Sequence, residues 1–319
     1  FNTKVPETMT RYFIFLTMLV FLLISCNTQN PSDLKIEKVY LDKTDTTKNC
    51  YTLLYPPNLP WKGFIFLIPG FGETPERVFQ QTDLAQKLAL NGILTVIPTF
   101  DDGVLSFGVD SVSQRSFERI LQDVMSKHKL DGLRFYVGGY SIGGSCSLKY
   151  AENGKIKPTA IFAIDSPLDF ERVYNSAKRD IRLAKDSAPN EENIYIIERL
   201  EKEIGGSPEN YLSEYYKFSP YSFSDTTQSA IKKLTKTPIR IYTEPDINWW
   251  MKERNADYTS MNSTESSALI NELNRLENTQ AALIITQNKG YRKPDNTRHP
   301  HSWSIVDNDE LIQWLLQYK

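Results

Sequence analysis

The stretch RFYVGGYSIGGSC, Arg134 to Cys146, decides how the rest of this chain is read. An apolar, β-favouring run leads into Gly139-Tyr140-Ser141-Ile142-Gly143, and the small residues that follow open a helix-like segment. A serine held between a strand and a helix, with a glycine two positions to either side, has the setting of a nucleophile elbow. Gly139 and Gly143 stand where a side chain would crowd so sharp a turn, and Gly144 leaves room for helix to pack on sheet. The same five-residue pattern also arises by chance in glycine-rich turns. Its meaning therefore rests on whether the rest of the chain supplies partners for Ser141.

Outward from this point, strand-like and helix-like runs alternate. Gly63–Gly70 (GFIFLIPG) is a continuous apolar run, as expected of a strand buried on both faces, and Ile93–Pro98 (ILTVIP) reads as the next strand. Thr74 and Pro75 read as cap and first position of a helix whose stripe, Val78, Ala85 and Leu88, ends at Asn91-Gly92. Phe117, Ile120, Leu121 and Val124 recur at the spacing of one helix face. Thr159–Asp165, Pro238–Thr243 and Ala281–Thr286 supply later strands, Lys38–Asp42 and Cys50–Tyr55 an opening antiparallel pair, and Glu310–Tyr318 a closing helix. Such alternation predicts a mostly parallel sheet covered by helices on both faces. Between Asp165 and Pro238 the alternation fails. Residues at about 167–236 carry charged helical patterns and the aromatic run YLSEYYKFSPYSF, which reads as a helical cap over the strands' C-terminal edge.

The chain has 319 residues, 37 basic and 39 acidic, for a net charge of −2. No basic block stands out, so nucleic-acid binding has no support. The beginning differs from the rest: Arg11 precedes an apolar run, Tyr12–Ile24, and then Ser25-Cys26. At thirteen residues this run falls short of the roughly twenty that span a bilayer as a helix, and it has the length of a signal-peptide core. Leu23-Ile24-Ser25-Cys26 resembles the lipobox of bacterial lipoproteins, whose cysteine carries lipid. On that resemblance, residues 1–26 are a signal peptide ending at Cys26, residues 27–36 a tether, and residues 37–319 the folded domain. The protein is then expected in the bacterial cell envelope, anchored to a membrane and facing the periplasm or the exterior.

A serine hydroxyl needs a base, usually a histidine oriented by a carboxylate, and two N–H donors where the oxyanion develops. The backbone N–H of Ile142, at a helix start, is one candidate donor, and that of Phe71, in the loop LIPGFGETP, is the other. Only three histidines are present. His128 reads as a surface residue at the polar end of a helix, whereas His299 and His301 fall between the last strand and the closing helix, where the base belongs. His301, followed by Ser-Trp, is preferred over His299. Two histidines without clustered acids or cysteines give little support to a metal site. For the acid, Asp246 follows the strand Pro238–Thr243 at the common spacing, with Glu244 and Asp165 as alternatives. Trp249 and Trp250 are candidates for lining a pocket.

Gly-Tyr-Ser-Ile-Gly-Gly, the earlier Pro-Gly-Phe-Gly loop, Asp246 and His301 follow the order Ser…Asp…His, and from about residue 50 to its end the chain resembles an α/β-hydrolase. The resemblance implies an eight-stranded core with the cap between strands six and seven, and no cofactor. It also implies a serine hydrolase that cleaves a small carboxylic ester through an acyl-enzyme. A peptidase or amidase with the same triad is the nearest alternative, and a surface-anchored binding lipoprotein with an idle site the more distant one. Pro69 stands where many members carry histidine, which leaves the backbone donor of Phe71 untouched.

Overall fold

A computed structural model describes residues 34–184 and 191–318. The expected signal peptide, Cys26 and most of the tether lie outside these residues. Eight strands form one sheet in the order β1-β2-β4-β3-β5-β6-β7-β8. They are β1 (Lys35–Tyr40), β2 (Cys50–Tyr55), β3 (Gly63–Ile68), β4 (Ile93–Thr99), β5 (Arg134–Tyr140), β6 (Ala160–Ile164), β7 (Ile239–Thr243) and β8 (Ala281–Ile285). β2 runs antiparallel to β1 and β4, and every pairing from β4 to β8 is parallel. β1 takes Lys35 and Ile36, two residues expected in the tether.

Strand alternation feeds two cores. Phe64, Phe66, Phe135 and Val137 face one side, where α3 (Ser111–His128) and α9 (Ser263–Arg275) bring Phe117, Ile120, Leu269 and Leu273. Ile65, Leu67 and Tyr136 face the other, covered by α1 (Pro75–Gln81), α2 (Leu84–Leu90) and α10 (Asn308–Gln317). β3 and β4 are buried along their whole length, which accounts for the continuous apolar sequence of β3 and the largely apolar sequence of β4. The single helix expected over Thr74–Leu90 is two. Thr74 caps α1 as its sequence predicts, but Thr82 is extended (φ −147°, ψ 149°) and its hydroxyl accepts the N–H of Leu84 at 3.2 Å, which ends one helix and starts the next.

Between β6 and β7, α5 (Phe170–Leu183), α6 (Glu191–Ile204) and α7 (Pro208–Phe218) form the cap. Phe170, Tyr174, Leu200 and Tyr215 make an apolar cluster of their own, seated on Phe107 and on Ile142 at the start of α4 (Ile142–Asn153). α8 (Ile247–Arg254) follows β7, and a short hairpin of β9 (Tyr291–Arg292) and β10 (Thr297–Arg298) precedes His301. This is the α/β-hydrolase fold, with its helical insertion beside the C-terminal ends of the parallel strands.

Candidate active site

Ser141 sits on the turn from β5 into α4 with φ 54° and ψ −127°. A non-glycine residue in that region stores roughly 1–3 kcal/mol of strain, held here by the packing of the turn. The flanking glycines are required by contact. A Cβ on Gly143 would stand 2.2 Å from the Ile68 carbonyl oxygen, and one on Gly139 would stand 2.6 Å from the same atom. β3 and α4 thus approach backbone to backbone, and the serine is pushed outward.

His301 Nε2 lies 3.0 Å from Ser141 Oγ, and its Nδ1 lies 2.6 Å from Asp165 Oδ2. Three side chains separated by up to 160 positions therefore form one hydrogen-bonded line at the strand ends. Asp165 follows β6 directly, and β6 neighbours β5, so the Ser141 N–H donates to the Ile164 carbonyl at 2.8 Å. The Asp165 carboxylate is buried; its second oxygen accepts from Thr243 Oγ1 at 2.9 Å, and its backbone carbonyl accepts from Asn262 Nδ2 at 2.8 Å. The carbonyl of His301 accepts from the Tyr140 hydroxyl at 2.8 Å and from Arg292 at 3.2 and 3.3 Å. Tyr140 also stacks on the imidazole, with ring centroids 4.7 Å apart, and burial pushes its hydroxyl pKa up, keeping it a neutral donor.

The acid expected from the sequence, Asp246, does not reach His301. Its carboxylate caps α8 by accepting the Trp249 N–H at 3.1 Å and pairs with Arg298 at 2.7 Å. Glu244 is buried beneath the hairpin, accepting the N–H groups of Lys289 and Gly290 and pairing with Arg298 at 2.6 Å. Both acids fasten the segment before His301. β7 lies a further strand spacing from the serine than β6 does, roughly 4.8 Å, and it delivers the Thr243 hydroxyl to Asp165. Sequence reasoning missed Thr243, Asn262 and Tyr140; of these only Tyr140, inside the serine motif, lay where a signal was available.

His299 is not part of the line. It packs between Trp249 and Trp250 with its Nε2 against Arg254, and burial and the nearby cations Arg292 and Arg254 push its pKa down to about 3. His128, expected at the surface, is half-buried against Trp61 and Tyr55.

Among the described residues the N–H groups of Phe71 and Ile142 have no acceptor, and both residues border a cavity of ≈ 280 Å³ that also contains Ser141 and His301. As the first residue of α4, Ile142 has no intrahelical acceptor for its N–H, and the helix dipole favours negative charge there. Phe170, Val173 and Ala177 of α5 and Tyr195 and Ile196 of α6 wall the same cavity. The cap therefore closes over the serine. Of the two tryptophans, Trp250 borders the cavity and Trp249 stacks on His299.

No protein-family model matches the chain, and no curated protein resembles it in sequence. Solved structures do resemble it in shape. Esterase B from Lactobacillus rhamnosis, in a tributyrin phosphonate complex, superposes with a TM-score of 0.58 at 12% identity, over 98% of this chain and 96% of that one. An S-formylglutathione hydrolase from Agrobacterium tumefaciens gives 0.54 at 14% identity, over 90% and 95%. A monoglyceride lipase from Saccharomyces cerevisiae gives 0.52 at 17%, over 84% and 91%. At such identities the likeness is one of fold.

Proposed function

We propose that the chain is a serine hydrolase that cleaves carboxylic esters through an acyl-enzyme. The observation that carries this reading is the continuous line Ser141 Oγ, His301 Nε2, His301 Nδ1, Asp165 Oδ2, with contacts of 3.0 and 2.6 Å. The esterases and lipase among proteins of the same fold support it. Ser141 Oγ adds to the ester carbonyl carbon while its proton passes to His301 Nε2. The N–H groups of Phe71 and Ile142 hold the oxygen that gains charge, and Asp165 stabilises the imidazolium and fixes its tautomer. Collapse of the intermediate expels the alcohol, which takes the proton from Nε2. Water then repeats the cycle on the acyl-serine and restores the hydroxyl. Asp165 replaces the sequence-preferred Asp246 in this reading.

The substrate is a small ester. A cavity of ≈ 280 Å³ lies at the lower end of ligand pockets, and its Phe170, Val173 and Ile196 wall suits a short apolar acyl group. Cys26, in Leu23-Ile24-Ser25-Cys26 after Arg11 and an apolar run, we take as a lipidated residue that tethers the enzyme to a bacterial envelope membrane. Turnover of p-nitrophenyl acetate by the folded protein, and its loss in Ser141→Ala, tests the hydrolase. Undiminished turnover in that variant overturns the assignment. Preference for an aminoacyl-anilide over the ester would move it to the peptidases.

A further inference from the structure

We infer that Glu73 is a positioning residue that aims the oxyanion hole and couples it to the histidine loop, an inference that rests on the hydrolase reading above. Phe71 can serve an oxyanion only if its N–H points at the serine. That N–H belongs to the same trans peptide unit as the Gly70 carbonyl, so the two point in opposite directions. The Glu73 N–H binds the Gly70 carbonyl at 3.1 Å, and Glu73 Oε2 accepts the Gly70 N–H at 3.0 Å. Gly70 is thus held on both its polar groups by one residue, and the direction of the Phe71 N–H follows. A third bond, Gly72 N–H to the Val104 carbonyl at 2.8 Å, holds the far side of the loop.

The same Oε2 atom also accepts Trp303 Nε1 at 3.1 Å. Trp303 is two residues past His301 and fully buried, and its ring packs on Tyr140 with centroids 5.2 Å apart. Tyr140 in turn holds the His301 carbonyl. One carboxylate oxygen therefore joins two loops 230 positions apart, the one with an oxyanion donor and the one with the base. No other carboxylate or carbonyl among the described residues accepts the Trp303 indole N–H. Glu73 touches neither Ser141 nor His301, so it acts through Phe71 and Trp303. What it supplies is an acceptor in a fixed place, and a neutral amide oxygen in that place serves equally.

The test uses wild type, Glu73→Gln, Glu73→Ala and Trp303→Phe, with p-nitrophenyl acetate as substrate and a trifluoromethyl ketone that adds to the serine as a tetrahedral oxyanion. Glu73→Gln should keep kcat within about threefold. Glu73→Ala should lose kcat by about 10- to 100-fold with KM within about twofold, and ketone affinity should weaken by a similar factor. Trp303→Phe, which keeps an aromatic ring but removes the shared N–H and part of the buried ring volume, should fall between wild type and Glu73→Ala on both measures, with thermal melting as the control for the lost volume. Unchanged kcat and ketone affinity in Glu73→Ala, or in Trp303→Phe should the alanine variant not fold, overturn the inference. So does a Gln variant as impaired as the Ala variant, since charge rather than placement would then matter. A wild type with no Ser141-dependent turnover would instead refute the hydrolase reading itself.

Discussion

Replacing Asp165 by Asn separates the two candidate acids. The buried carboxylate has two neighbours, His301 Nδ1 at 2.6 Å and Thr243 Oγ1 at 2.9 Å, and an amide can meet them in two orientations. In one, the NH₂ faces Nδ1 and forces the imidazole to carry its proton on Nε2, where it can no longer accept from Ser141. In the other, the amide oxygen keeps the Nδ1 proton and Thr243 turns from donor to acceptor, but the negative charge beside the nascent imidazolium is gone. Unit charges about 4 Å apart at an effective dielectric near 20 attract by roughly 4 kcal/mol, which is about 10³ in rate. Either orientation thus costs kcat about 10³-fold or more. Asp246→Asn keeps a good helix cap and loses a partly exposed ion pair, so kcat should stay within about threefold. The assay is kcat for p-nitrophenyl acetate, with thermal melting as the control for folding. An Asp165→Asn enzyme within tenfold of wild type, with the 10³ loss appearing in Asp246→Asn, would refute the reasoning.

Two further outcomes are expected. With its folded pKa near 3 against about 6.5 unfolded, His299 stays neutral in the native state while the unfolded chain takes up a proton, so stability falls as pH drops from about 6.5 toward 3. At about 1.4 kcal/mol per pH unit, His299→Phe should recover roughly 2 kcal/mol of the loss between pH 6 and 4.5 in urea titrations, and an unchanged pH slope would contradict the placement of this histidine. Cys26→Ser should move the protein from the membrane pellet to the soluble fraction of a bacterial host, and continued pelleting without detergent would remove the lipid anchor.

The fold and most of the residues gathered at the candidate site were legible because their signals are local. β3 is buried on both faces and so reads as an unbroken apolar run, and the elbow glycines are dictated by a backbone contact no other residue permits. Likewise, His301 is one of only three histidines and lies on the last long loop. The acid was not local in this sense. Asp165 and Asp246 each follow a strand, and spacing alone cannot show that one carboxylate is used by a helix N-terminus and Arg298 while the other faces an imidazole. Thr82 misled for a related reason: the apolar stripe continues through it, and only its hydroxyl's bond to the Leu84 N–H breaks the helix.

On the proposed reading, an acid after β6 also ties the hydrogen-bonded line of Ser141, His301 and Asp165 to the cap, because the cap leaves the sheet from the same loop. Asn262 holds the Asp165 carbonyl with its amide and accepts from Arg172 of α5 with its oxygen, at 2.8 and 3.0 Å. Arg172 is paired with the buried Glu265, whose Oε1 also accepts the Leu168 N–H, three residues after the acid. Burial pushes the Glu265 carboxyl pKa up, and Arg172 is the cation that opposes this, so removing Arg172 would leave a buried acid without its counter-charge. The first turn of α5 is therefore constrained twice, as cavity wall and as support for Asp165. α6 contributes Tyr195 and Ile196 to the wall. On the hydrolase reading, the root of α5 cannot change without disturbing the loop that carries the Asp165 carboxylate against His301.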